Sequence, residues 1–309
     1  MASPRTLLVA ALAVCVTAGQ LDAQRGRVSL ERPRIDTTMA FDATGRIELE
    51  LGAGEIRITA WTRNEVQISA SSDRGTISAV LSSSRIELDL NTPRGASAGV
   101  TRYVLNVPVG VSIAARAGSG SIVVSGTKGN VQLETRSGRI DASDASGTID
   151  VEATSGRITL QRVSGLTRLA AIGGTVTMSE VEGQLDIETT SGRVQVERAN
   201  VQRLNFESVS GSLDFSGTLG ATGPHAIDTH SGNVTLRLPA SFAATLDLET
   251  FRGELRPVDF PVVALPGEAR GRDSDRIRFA INGGGVPLSI STFSGDIFLR
   301  RIGATPQSQ

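Results

Sequence analysis

Glycine recurs every nine residues through the middle of this chain, at Gly120, Gly129, Gly138, Gly147, Gly156, Gly165, Gly174, Gly183 and Gly192. With 34 Gly in 309 residues, a run of this length has a chance on the order of 10⁻⁸. The residues two and four after each Gly are mostly apolar: Ile122/Val124, Val131/Leu133, Ile149/Val151, Ile158/Leu160, Val176/Met178, Leu185/Ile187 and Val194/Val196. That is a period-two strand following a tight turn, repeated.

A strand of about five residues cannot bury its apolar face alone. Stacked on copies of itself at about 4.8 Å it can. Alternate units differ: Arg139, Arg157 and Arg193 follow Gly138, Gly156 and Gly192, whereas Thr148, Leu166 and Gln184 fill that place in the intervening units. The predicted coil is therefore two units, 18 residues, with two facing sheets over a thin Ile/Val/Leu core. The expected fold class is all-β, a two-sheet β-solenoid of the β-helix or β-roll kind. Calcium-binding nonapeptide coils need Asp two residues after a turn Gly, and Ile, Val or Leu stands there. The six-residue apolar beat of the left-handed hexapeptide helix is missing, and pectin-lyase-like coils are longer and three-sheeted.

Regularity breaks after Gly192. Leu204/Phe206 come one residue late, which places a single insertion near Ala199-Asn200-Val201. Gly211, Gly232 and Gly253 continue the pattern 21 residues apart. The predicted organisation is a signal peptide over 1–23, a linker over 24–39, one solenoid domain over 40–301 and a polar tail over 302–309. Within the domain, 40–115 reads as irregular N-terminal strands, 116–215 as regular coils and 216–301 as irregular C-terminal coils. The last part contains a loop at 256–276, where Pro257, Pro261 and Pro266 interrupt a charged stretch.

Arg5, the apolar run Leu7 to Val16 and the small residue Ala23 form an export signal that would leave Gln24 as the mature N-terminus. Lipidation at Cys15 is disfavoured because the preceding Val14 is bulky. Cys15 is the only cysteine, so cleavage at Ala23 would leave no disulfide, thiol nucleophile or cysteine metal site. Net charge is −1 and Lys128 is the only lysine, so there is no basic footprint for nucleic acid or an anionic membrane. No integral membrane segment is expected after signal cleavage. The expected location is outside the cytoplasm: periplasm, cell surface or medium.

The lead-in Val107-Pro108-Val109-Gly110 precedes Gly118-Ser119-Gly120-Ser121-Ile122, and units such as Ser137-Gly138-Arg139-Ile140, Ser155-Gly156-Arg157-Ile158 and Ser191-Gly192-Arg193-Val194 follow. The pattern closes on Ser291-Thr292-Phe293-Ser294-Gly295-Asp296-Ile297. Over roughly residues 40 to 300 this resembles the bacterial putative-adhesin family of domains of unknown function. The resemblance implies an exported β-solenoid-like domain with an adhesive role. It brings no catalytic residues.

Candidate chemistry is sparse. His225, Asp228 and His230 could hold a metal, but nothing fixes further ligands, and solvent-exposed turn residues are the expectation. Most Ser precede a turn Gly, where a hydroxyl caps backbone groups, so a Ser/His/Asp triad is not expected. Asp150 and Asp186 lie two coils apart, about 10 Å, near the inverting-glycosidase separation. Gln132, Arg168 and Asn205 share that position and make it a mixed polar face. Aromatics are 4% of residues, and Trp61 and Tyr103 are single, so no stripe of rings for sugar stacking is expected.

Glu134, Glu152 and Glu188 each lie five residues before Arg139, Arg157 and Arg193, across a turn. Two readings follow. Each Glu–Arg pair is an exposed ion pair, or Arg139, Arg157 and Arg193 form a row that recognises an acidic glycan or phosphate-bearing polymer. Neighbouring carboxylates would compete with an anion for those guanidinium groups, which favours the ion pairs. The sequence reading is thus a non-enzymatic binding protein with no cofactor, whose ligand is an envelope or extracellular glycan or protein. The alternatives are a polysaccharide-active enzyme, which a groove holding clustered Asp, Glu and Arg would favour, and a purely structural envelope component.

Overall fold

The structure is a computed structural model that describes residues 28–92, 99–221, 223–254, 259–265 and 275–303. The predicted signal peptide, with Cys15, lies outside the described residues. The N-terminal strands are β1 (Val28–Arg32), β2 (Arg34–Ala40), β3 (Arg46–Trp61), β4 (Glu65–Ser72), β5 (Thr76–Leu81), β6 (Arg85–Asn91) and β7 (Thr101–Pro108). The regular stack is β8 (Ser112–Ser125), β9 (Val131–Ala171), β10 (Thr175–Thr189) and β11 (Arg193–Ser208). The C-terminal part adds β12 (Ser212–Leu219), β13 (His225–Thr229), β14 (Val234–Leu238) and β15 (Ala244–Thr250). It ends with β16 (Val262–Ala264), β17 (Asp275–Ile281), β18 (Val286–Thr292) and β19 (Ile297–Arg301).

The chain is a two-sheet parallel β-solenoid. Ile113 pairs with Val131, Val176 with Ile158 and with Val194, each step advancing 18 residues. Long strands bend at corners and serve both sheets, so β3 pairs with β6 through Ile47 and with β7 through Ile56. The expected inward positions are buried throughout: Ile140, Ile149, Val151, Ile158, Leu160, Val176, Leu185, Ile187, Val194 and Val196 are all 3% exposed or less. The inserted residue is Gln202, because Gly183 pairs with Val201 while Gln184 pairs with Arg203.

Stacking explains the glycines. At the corner that carries Gly120, Gly138 and Gly156, a Cβ on Gly156 would lie 2.0 Å from the Gly138 carbonyl oxygen. The Gly156 φ of 140° is also one that side chains rarely adopt. The opposite corner is made differently. Asp144, Arg162, Glu180 and Arg198, spaced one coil apart, hold φ between 51° and 57°, and the next residue, Ala145, Val163, Val181 or Ala199, turns inward.

Three parts of the predicted organisation are corrected. The segment expected as a linker over 24–39 contains β1 and most of β2, which pair antiparallel with β5 and β4. They cap the stack with antiparallel edges, and their short alternations are too brief to read as strands without those partners. The expected loop at 256–276 contains β16, an edge strand antiparallel to β17. Gly232 does stack on Gly211 as expected, 21 residues on, but Gly253 is not the next coil. Along this corner a Cβ on Gly295 would meet Gly232, and one on Gly253 would meet Gly295. Residues 286–299 have been threaded back between two coils laid down earlier, with β18 between β13 and β15.

Candidate functional site: an acidic groove along one corner

The register stacks equivalent residues into columns. One runs Glu50, Arg116, Glu134, Glu152, Ala170, Glu188, Glu207, Asp228, Ser291 and Glu249. From Glu50 to Glu249 there are nine steps along the column, so it extends about 43 Å. The next column inward is small: Ala117, Thr135, Ala153, Ala171, Thr189, Ser208, Thr229 and Thr292. The column after that points out again as Arg136, Thr154, Ile172, Thr190, Val209, His230, Phe293 and Phe251. Small side chains between two rows of larger ones leave a groove of about 1290 Å³.

One wall is acidic. Glu134 receives the Arg116 Nε–H at 2.9 Å, and Glu207 accepts from Asn205 Nδ2 at 3.2 Å. Among the described residues, Glu50, Glu152, Glu188, Glu207 and Asp228 have no Arg or Lys nitrogen within ion-pair distance. Burial raises the Asp228 carboxyl above the ordinary carboxylate range, and the neighbouring Glu207 charge adds to this. The opposite corner shows what the same stacking does when charges are balanced. There Asp144, Arg162, Glu180 and Arg198 alternate in sign, with Arg162 on Asp144 at 2.6 Å and Arg198 on Glu180 at 3.2 Å.

The other wall is apolar toward its C-terminal end. Ile172 is 56% exposed and Val209 53%. His230 stacks on Phe293 at 4.7 Å, and Phe293 on Phe251 at 4.9 Å. The three rings come from positions 230, 293 and 251 and meet only because β18 is inserted between β13 and β15. Phe293 lies between the other two rings, so both of its faces are covered.

Arg139, Arg157 and Arg193 do form an exposed row, interrupted by Thr175, but none of the three lines the groove. The predicted Glu–Arg pairs across the turn are not formed. Arg139 instead reaches Asp141 at 2.5 Å, two residues along the same strand face, and Glu134 turns to Arg116. The corner glycine separates the two members of each predicted pair onto different faces. Asp150 is held by Arg168 at 3.4 Å, and Asp186 follows in the same column.

The histidines part company. His225 is buried, at 1% exposure, not a solvent-exposed turn residue: Phe206 and Ile227 continue the same sheet, and the alternation carries His225 inward. Its Nδ1 accepts the Leu204 N–H at 3.1 Å, so the proton sits on Nε2, which donates to the Gly220 carbonyl at 3.0 Å. Burial lowers its pKa. His230 stands on the groove wall. Among the described residues no three carboxylate, imidazole or thiol groups converge on a metal site.

Fold and groove together define a class: a capped, two-sheet parallel β-solenoid with a charged groove along one corner. The chain belongs to the Toastrack DUF4097 family, whose model matches residues 44–300. Among solved structures it is similar to one described as a putative cell adhesion protein from Clostridium sporogenes, at 11% identity and a TM-score of 0.21, covering 87% of this chain and 99% of that one. No curated protein matches. No helix among the described residues is long and apolar enough to cross a membrane.

Proposed function

We propose that the protein is an exported, non-enzymatic binding protein of adhesin type that holds its ligand along this groove, at the cell envelope or outside it. The observation that carries the reading is the run Glu188, Glu207 and Asp228, without a cationic partner among the described residues, facing an exposed apolar wall. Like charges one row apart repel, and the opposite corner has the alternating solution. A run of like charges beside exposed Val209 and Phe293 is a poor choice for stability and a good one for capture. Export rests on Arg5, the run Leu7 to Val16 and Ala23.

The test is a glycan and matrix-protein binding screen of residues 24–309, with hydrolysis measured in parallel. Wild type is compared with the triple variant Glu152→Gln, Glu188→Gln, Glu207→Gln. Capture lost in the variant at unchanged melting temperature supports the groove. Capture unchanged in the variant moves the binding face elsewhere, with Arg139, Arg157 and Arg193 next to be replaced.

A polysaccharide-active enzyme is the second reading, favoured by the stacked pair Glu207 and Asp228. A carboxyl raised by burial with a second carboxyl beside it is the arrangement from which such enzymes build a general acid. Against it, the same stacking recurs at Glu134/Glu152 and Glu188/Glu207, a repeated face with no single distinguished pair. Cleavage of any captured glycan establishes the enzyme and overturns the binding-only reading.

A further inference from the structure

We propose that the ligand of the groove is a basic polypeptide segment in extended conformation, in which cationic and apolar residues alternate. The inference rests on the groove being the binding surface and names what it takes.

The walls differ in kind. Glu188, Glu207, Asp228 and Glu249 form one side of the C-terminal half; Val209, His230, Phe293 and Phe251 form the other. An extended chain lying along the groove sends successive side chains to opposite sides. If every second residue is Lys or Arg, one series meets carboxylates and the other meets apolar surface. Same-side residues of the ligand repeat at roughly 6.6 Å and the carboxylates at about 4.8 Å, a mismatch that long flexible Lys and Arg stems absorb.

Other occupants fit less well. An acidic polymer meets the carboxylate column. A neutral glycan leaves the carboxylate column without a counter-charge. A divalent cation finds no converging ligand set among the described residues, and it leaves the apolar wall uncovered.

The test uses residues 24–309 and fluorescence anisotropy with four probes: a short peptide alternating Arg and Leu, its Glu-for-Arg counterpart, an oligolysine of equal length, and a deacetylated glucosamine oligomer. Calcium chloride is titrated separately. The Arg/Leu peptide should bind best, and its affinity should fall steeply with added salt. Glu188→Gln/Glu207→Gln/Asp228→Asn should weaken it about tenfold, as expected for three exposed charge pairs. Phe251→Ser/Phe293→Ser should weaken the Arg/Leu peptide and leave oligolysine unchanged. Removing like charges relieves repulsion, so the first variant should keep or raise the melting temperature, and its loss of binding cannot be ascribed to unfolding.

Equal binding of oligolysine and the Arg/Leu peptide would overturn the role of the apolar wall, and with it the proposal. Tighter binding of the glucosamine oligomer, the Glu peptide or calcium would overturn the ligand class while leaving the groove as the binding surface. If no probe binds and the broader screen shows groove-dependent capture of something else, the ligand class alone fails. If neither finds groove-dependent capture, the function itself fails.

Discussion

Arg162 donates from Nε to Asp144 Oδ1 at 2.6 Å and from Nη2 to Asp144 Oδ2 at 2.9 Å, one coil away, and both residues hold a left-handed backbone. The fork raises the Arg162 guanidinium pKa and lowers that of the Asp144 carboxyl. Left-handed φ is unfavourable for any residue with a Cβ, and the pair is exposed to solvent. Arg162→Gly removes both effects together. Its melting temperature should stay close to wild type, and a large drop would show that the ion pair carries the corner.

Ile158 tests the core. It is 2% exposed between the sheets, so Ile158→Ala should cost about 2–5 kcal/mol by chemical denaturation. Ile158→Asp should be worse, since an unpaired charge would sit in the core. Thr159→Asp, one residue along and on the outer face, should be mild. Equal losses at the two positions would contradict the alternation.

Gly156 tests the stacking. A methyl there would lie 2.0 Å from the Gly138 carbonyl oxygen and would also hold a strained φ. Gly156→Ala should cost about 3 kcal/mol or more. Gly52→Ala, where nothing lies within 4 Å of the added carbon, should be nearly neutral. A tolerated Gly156→Ala would mean the coils can part at this corner.

His225 sets a pH dependence. Its folded pKa is lowered by burial, and its unfolded value is about 6.5. As pH falls below 6.5 the unfolded chain takes up the proton first, so stability falls with pH until the folded imidazole also titrates. Asp36 and Asp247, lowered chiefly by hydrogen bonds from Ser69 and Arg276 respectively, lose their contribution only further down, in the carboxylate range. His225→Asn should therefore flatten the stability profile just below neutrality while lowering it overall. An unchanged slope there would place the titration elsewhere.

Period and core were legible in the sequence because they are local: Ile140 and Ile158 repeat at one coil, and the eye can find it. The carboxylate column was half legible. Glu134, Glu152 and Glu188 stood out at multiples of 18 residues, and stepping on past Gln202 by the altered coil length would have reached Glu207, Asp228 and Glu249. The Arg139 partner was not legible from spacing across the turn, because Asp141 lies closer, two residues along the same strand face. Nothing local announced the ring stack, since Phe293 reaches His230 and Phe251 only through a change of order in the chain. Nor did composition reveal His225 as a buried residue, for its burial depends on strands on either side of it.

That change of order has a bearing on how the molecule is made and unmade. Through β8 to β11 each coil can settle on its predecessor as it leaves the ribosome, because the neighbour it needs has already been synthesised. Ala244 must wait for Ile281 and Val286, 37 and 42 positions later, before its two neighbours exist. The final row enters as a keystone between two already present, with β13 on one side and β15 on the other. Such an end does not fray one row at a time from the tip. It should open and close as a unit, with the amides of β13, β15 and β18 exchanging together.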